Sequence, residues 1–184
     1  AGNNGVYCSR DGATTWTQMV TPTMNTAVYA LVADPTDFNI MYAGVNGGPC
    51  SNSPPICQLN TYFNTVGAIY KTTDGGKTWT ELNALYIPDL RVVTVHVDQN
   101  NPKVIFSATF SKLPAQQSGP GNFQTAKQLG LLKSTDGGVT WRSIVQGMTA
   151  EPREQALLDM GVSPTNALRL YATASSNTSY WSSD

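Results

Sequence analysis

The sequence predicts an all-β chain built from four-stranded antiparallel blades that stack as part of a β-propeller. Three observations carry this reading. One eight-residue phrase is written three times, as SRDGATTW at 9–16, TTDGGKTW at 72–79 and STDGGVTW at 134–141. The spacing is nearly constant, since Asp11 to Asp74 is 63 residues and Asp74 to Asp136 is 62. Between the phrases lie short apolar runs separated by turn residues, and helical periodicity is confined to a weak stretch at Glu151 to Leu158. A repeat of this length with four strands cannot bury both of its faces alone, so it must stack on its neighbours around an axis.

Each repeat reads in the same order. The stretches 27–45, 92–110 and 156–174 are strand, polar turn, strand, with Asp-Pro, Asn-Pro and Ser-Pro-Thr-Asn supplying the turn chemistry. A third strand precedes each phrase (GVYC, GAIYK, GLLK), and a fourth follows it (TWTQM, TWTEL, TWRSI). The phrase is therefore the hairpin between strands three and four. Asp-Gly and Gly-Gly provide the positive-φ positions of a tight turn, the Asp carboxylate accepts backbone N–H bonds across it, and the Trp buries against adjoining strands. On this reading Asp11, Asp74 and Asp136, with Trp16, Trp79 and Trp141, are architecture, and the three tryptophans are expected in equivalent environments.

Residues 1–184 read as one partial propeller. The chain opens just before a third strand and reaches a truncated fourth phrase at 182–184, which amounts to about three blades. Closed propellers hold four to eight, so further blades are expected in the same chain or in neighbouring subunits.

Composition narrows the class. Charged residues are 12% and the formal net charge is -1, so no basic footprint for nucleic acid is present. No run of about 18 apolar residues is available to span a bilayer, and no leader opens the chain, which fits a mature secreted product or an internal piece. Cys50 and Cys57 flank SNSPPI, where a bridge would close a short, proline-stiffened loop, and Cys8 is expected to remain a small apolar residue in a strand. An extracellular or cell-surface location follows. His96 is the single histidine, so neither a His-based metal site nor a Ser-His-Asp triad with a second His is expected. No cofactor is implied.

The phrase S/T-x-D-G-x-x-T-W resembles the Asp-box, or bacterial neuraminidase repeat, of sialidases, family 74 glycoside hydrolases, sortilin-type receptors and photosystem II assembly factors. The flanking style, ADPTDFNIMYAGVNGG leading into GAIYKTTDGGKTW, looks most like the blades of family 74 xyloglucanases and extends over nearly the whole chain. The resemblance implies the propeller but not an activity, because one scaffold hosts many. It departs from the sialidase pattern: no Arg-Ile-Pro motif is present, Arg10 falls inside a hairpin phrase and Arg142 on an outer strand, so an arginine triad is not assembled. No catalytic residue is carried over.

In an up-and-down blade the hairpin phrases and the one-to-two turns share one side, and the remaining connections share the other. That second side holds the long connections 46–66 and 111–129, together with 83–91 and 146–155. They offer Tyr62, Phe63, Tyr86 and Phe123 as stacking surfaces, with Asp89, Arg91, Glu151, Arg153 and Glu154 as polar contacts. Asp159 aligns with Ala30 and Thr94 on the innermost strand and breaks an otherwise uncharged position. The expected function is an extracellular propeller that binds glycan or protein through its long-loop face. Two alternatives stand beside it: a segment of a family 74-like glycoside hydrolase, and a structural or self-assembling surface protein.

Overall fold

The structure is a computed structural model of the 184-residue chain, and it describes residues 5–19, 28–45, 68–82, 90–111, 130–146, 157–174 and 179–182. The strands are β1 (Val6–Cys8), β2 (Thr17–Met19), β3 (Val28–Ala33), β4 (Met41–Val45), β5 (Ala68–Thr72), β6 (Thr80–Glu81), β7 (Leu90–Val97), β8 (Ile105–Ser111), β9 (Gly130–Ser134), β10 (Arg142–Ser143), β11 (Leu157–Val162), β12 (Leu170–Ala174) and β13 (Ser179–Ser182). They form four sheets, ordered β1-β2, β3-β4-β5-β6, β7-β8-β9-β10 and β11-β12-β13. Every pairing is antiparallel between chain neighbours. Of the weak helical stretch, residues 157–158 open strand β11 and 151–156 lie outside the described residues.

The repeats match to the residue. In the first turn of each complete unit, the amide of Asp34, Asp98 or Ser163 donates to the carbonyl of Ile40, Val104 or Arg169, and that residue's own amide donates to Asp37, Asn101 or Asn166. Each innermost strand also carries a register shift at one place: between Val28 and Ala30, between Val92 and Thr94, and between Leu157 and Asp159. Ala30, Thr94 and Asp159 therefore hold one position, opposite Gly44, Ala108 and Thr173.

The core lies between sheets, and this explains why the third strands read as continuous apolar runs. Ile69 packs in a cluster with Tyr42, Val92, Val95, Val97 and Leu132, which joins the second sheet to the third. Its neighbour Tyr70 packs with Val6, Ala43, Val45 and Trp79, which joins the first sheet to the second. Phe106, Ala108 and Leu131 meet Met160 and Ala172 to join the third to the fourth. A strand covered on both faces has no reason to alternate apolar with polar residues, and each fully buried Ile, Leu or Phe contributes about 1.5–3 kcal/mol.

The ends of the stack lack this cover, which corrects one expectation. The three hairpin tryptophans are not equivalent: Trp79 is 8% exposed, Trp141 is half-buried and Trp16 is 60% exposed. The cluster around Trp79 includes Val6 and Met19 from the sheet in front, whereas no described strand stands in front of β1 and β2. Leu31 is 48% exposed because the sheet in front is described only as β1 and β2, without inner strands to cover β3, while Val95 and Met160 at its position are buried under the preceding sheet. At the other end Tyr171 is 62% exposed, and Tyr42 and Phe106 at its position are covered by the following sheet.

Candidate functional site

The hairpin phrase builds a closed hydrogen-bond network. In the second copy, Asp74 Oδ1 accepts from Thr72 Oγ1 at 2.8 Å and from the amides of Lys77 and Thr78 at 2.9 Å each, and Oδ2 accepts from Thr78 Oγ1 at 2.6 Å. Thr72 Oγ1 in turn accepts from the Gly76 amide at 3.0 Å. The third copy repeats this with Asp136, Ser134, Thr140 and Gly138, and the first with Asp11, Ser9, Thr15 and Ala13. Trp79 and Trp141 close the turn by donating Nε1–H to the carbonyls of Gly76 and Gly138.

These bonds stabilise the carboxylate form. The Thr15 hydroxyl and amide, with the Ser9 hydroxyl, hold Asp11 at about 2. The Thr140 hydroxyl and amide, with Ser134, hold Asp136 at about 2. Thr78 and Thr72 lower Asp74 further. A carboxylate whose acceptor sites are taken by its own turn is poorly suited to proton transfer near neutral pH, where a general acid or base needs a pKa close to the working pH.

The network also fixes which side of the sheets is which. The Gly75 amide donates to the Asn39 carbonyl at 3.0 Å and the Gly137 amide to the Lys103 carbonyl at 2.9 Å, so the second and third hairpins are each tied to the one-to-two turn of their own sheet. Asn100 Nδ2 bridges to the Pro164 carbonyl at 3.1 Å, linking the turns of successive sheets. The buried carboxylate of Asp34 belongs to this side. Burial opposes its ionisation, but hydrogen bonds from the Thr36 hydroxyl and amide and from the Asp37 amide, with the Lys71 charge, leave it below the ordinary range. Strand ends such as Val45 and Ala68, which pair with each other, lie at the far side, from which the long connections depart.

Of the sequence-predicted ligand residues, Tyr62, Phe63, Tyr86, Asp89, Phe123, Glu151, Arg153 and Glu154 lie outside the described residues, as do Cys50 and Cys57. Arg91 stands on β7 in register with Phe110. Asp159 is exposed on β11, with Oδ1 accepting from the Met160 amide at 2.8 Å, and is the carboxylate found in the described innermost strands. Its position is a sheet face: Ala30 packs against the cluster formed with the following sheet. Cys8 is a free, half-buried thiol closing β1. His96 is half-buried, and its Nε2 is buried without a hydrogen-bond partner. Among the described residues no group of three or more His, Cys, Asp and Glu side chains is placed to hold a metal ion.

Exposed aromatics that the sequence did not single out are Tyr7, Tyr29, Phe38 and Tyr171, and of these Tyr29 stands on an innermost strand. Tyr29 occupies the extra residue of the β3 bulge, beside Ala30, and is 63% exposed. The signal was the tyrosine itself, standing where the other copies have Val93 and Leu158.

No protein-family model matches the sequence, and no curated protein sequence does. Solved structures do resemble it. An ancestral family 74 glycoside hydrolase matches with a TM-score of 0.54 and 19% identity over 96% of this chain and 22% of that one. The family 74 enzyme of Niastella koreensis matches with a TM-score of 0.58 and 22% identity over 99% of this chain and 25% of that one. The family 74 xyloglucanase of Xanthomonas campestris matches with a TM-score of 0.60 and 18% identity over 99% of this chain and 26% of that one. The likeness shows the fold: the stacked sheets are part of a β-propeller. The chain spans about a quarter of the length of these enzymes.

Proposed function

We propose that this chain is part of an extracellular propeller that binds a polysaccharide on the side opposite the repeated hairpins, where Tyr62, Phe63, Tyr86 and Phe123 are stacking candidates and Asp89, Arg91, Glu151, Arg153 and Asp159 polar ones. The observation that carries this is the consumption of the hairpin side by structure. Asp11, Asp74 and Asp136 all spend their oxygens on their own turns, which leaves ligand chemistry to the side of the long connections. Sugar rings offer an apolar C–H face for aromatic stacking and a rim of hydroxyls for amides and charges, and those connections combine the two. The likeness to a xyloglucanase supports a β-glucan as the class of ligand.

A second reading, that the chain is a segment of a family 74-like hydrolase, is favoured by the match to such enzymes over 96–99% of its length. Glycoside hydrolysis needs two carboxyls about 5–9.5 Å apart, and Asp159 supplies at most one of them. A polysaccharide binding and hydrolysis screen separates the readings. Binding without turnover supports the first; turnover abolished by Asp159→Asn and retained by Asp74→Asn supports the second. Absence of both binding and turnover removes them together.

A further inference from the structure

We infer that Tyr29 is a sugar-stacking platform at the loop-side end of the innermost strand, an inference that rests on the polysaccharide-binding reading above. Its exposure has a different origin from that of Trp16 and Tyr171, in front of or behind which no described sheet stands, and from that of Leu31, whose preceding sheet is described only as β1 and β2 without inner strands. Val28 pairs with Val45 and packs towards the sheet in front, whereas Ala30 pairs with Gly44 and packs towards the sheet behind. Tyr29 is the extra residue between them. At the same bulge in the next copy, Val93 packs into the cluster shared with the following sheet. The sheet that follows β3 is in place, since Gly44 lies against Val92 of β7 and Ala30 packs against the cluster that contains Val92, and Tyr29 nevertheless remains 63% exposed.

Position and chemistry agree. The bulge lies at the start of β3, away from the one-to-two turn at 34–40, and so at the side from which the long connections depart. Bulges re-aim a side chain and recur beside binding sites. A tyrosine held by a paired strand presents a rigid ring with two rotatable side-chain torsions, so little conformational entropy is lost when a pyranose ring stacks on it. The ligand class is a soluble β-glucan, whose equatorial hydroxyls leave both ring faces apolar.

The test is titration calorimetry of the 184-residue chain with xyloglucan oligosaccharides, using Tyr29→Ala, Tyr29→Phe, Tyr29→Trp and Leu31→Ala. Expected results are binding by the wild type, about tenfold weaker binding by Tyr29→Ala, binding within about twofold of wild type for Tyr29→Phe, and unchanged binding by Leu31→Ala, which faces the other way on the same strand. Tyr29→Trp is expected to bind and to show an emission shift on titration that the wild type lacks. A Tyr29→Ala variant that melts like the wild type and binds equally well overturns the inference while leaving the polysaccharide reading intact. A wild type that binds none of these glycans overturns both.

Discussion

Gly44 of β4 lies against Val92 of the next sheet so closely that a Cβ on Gly44 would overlap the Val92 side chain and stand 3.0 Å from its Cβ. The glycine is there for room rather than for backbone freedom. At the equivalent place in the third sheet Ala108 is fully buried against the fourth, so at this position the second and third sheets leave less room than the third and fourth. Gly44→Ala is expected to destabilise the fold by about 1–3 kcal/mol through overpacking. Adding Val92→Ala should recover part of that loss, because the clashing methyl is removed. Urea denaturation of the three variants checks both statements, and an additive double mutant refutes the contact.

Ala13 has φ 70°, the left-handed value that Gly76 and Gly138 adopt in the other hairpins. A side chain in that region costs roughly 1–2 kcal/mol, while glycine's extra freedom in the unfolded chain offsets about 0.5–1 kcal/mol. Ala13→Gly is therefore expected to stabilise by up to about 1 kcal/mol. Gly76→Ala should do the reverse and more strongly. It combines the same strain with a Cβ placed 3.0 Å from the Met19 side chain of the preceding sheet. Thermal melts of the two variants give opposite signs if this is right.

Acid should weaken the hairpins over a defined range. Asp11 and Asp136 are held at about 2 by the hydroxyls and amides they accept from, and Asp74 is lowered further, whereas an unfolded Asp titrates near 3.9. A depressed folded value means that the stabilisation is complete above the unfolded pKa and is lost as pH falls from about 4 through 2. The urea midpoint is expected to be level above about pH 5 and to drop below about pH 4. Asp74→Asn should be less stable at neutral pH and show a shallower acid dependence; an unchanged profile would contradict the bonding described for Asp74.

Trp79 and Trp16 occupy the same place in the phrase and should respond differently to truncation. Trp79→Ala is expected to cost about 3–5 kcal/mol, the range for a buried tryptophan, and Trp16→Ala no more than about 0.5 kcal/mol, the range for exposed sites. Equal losses would mean that Trp16 is covered in solution. This contrast marks how far the sequence is informative. The strands, the hairpins and the equivalence of Asp159 with Thr94 and Ala30 were legible because turn residues and spacing are local. Which faces are covered was not legible, because cover comes from a neighbouring sheet: the phrase around Trp16 is written like the one around Trp79. The bulge that exposes Tyr29 was hidden for a related reason, since one extra residue in a strand leaves an apolar run unchanged in composition. Of the candidate ligand residues, Asp159 and Arg91 alone fall on described strands.

The pairing of Cys50 with Cys57 lies outside the described residues, and its test is chemical. Six residues, SNSPPI, separate the two thiols, and two adjacent prolines restrict the chain between them. A short closed loop loses little entropy that it would otherwise retain, so the bridge is expected to contribute no more than about 3 kcal/mol, and its formation depends on an oxidising surrounding. Cys8 is a free thiol. Alkylation in denaturant without reductant should therefore add one label per chain, and alkylation after reduction should add three, read by intact mass. Three labels without reductant would remove the bridge and, with it, the strongest sequence argument for an extracellular location. Loss of that single label in Cys8→Ser, with none added before reduction, would assign the bridge to Cys50 and Cys57.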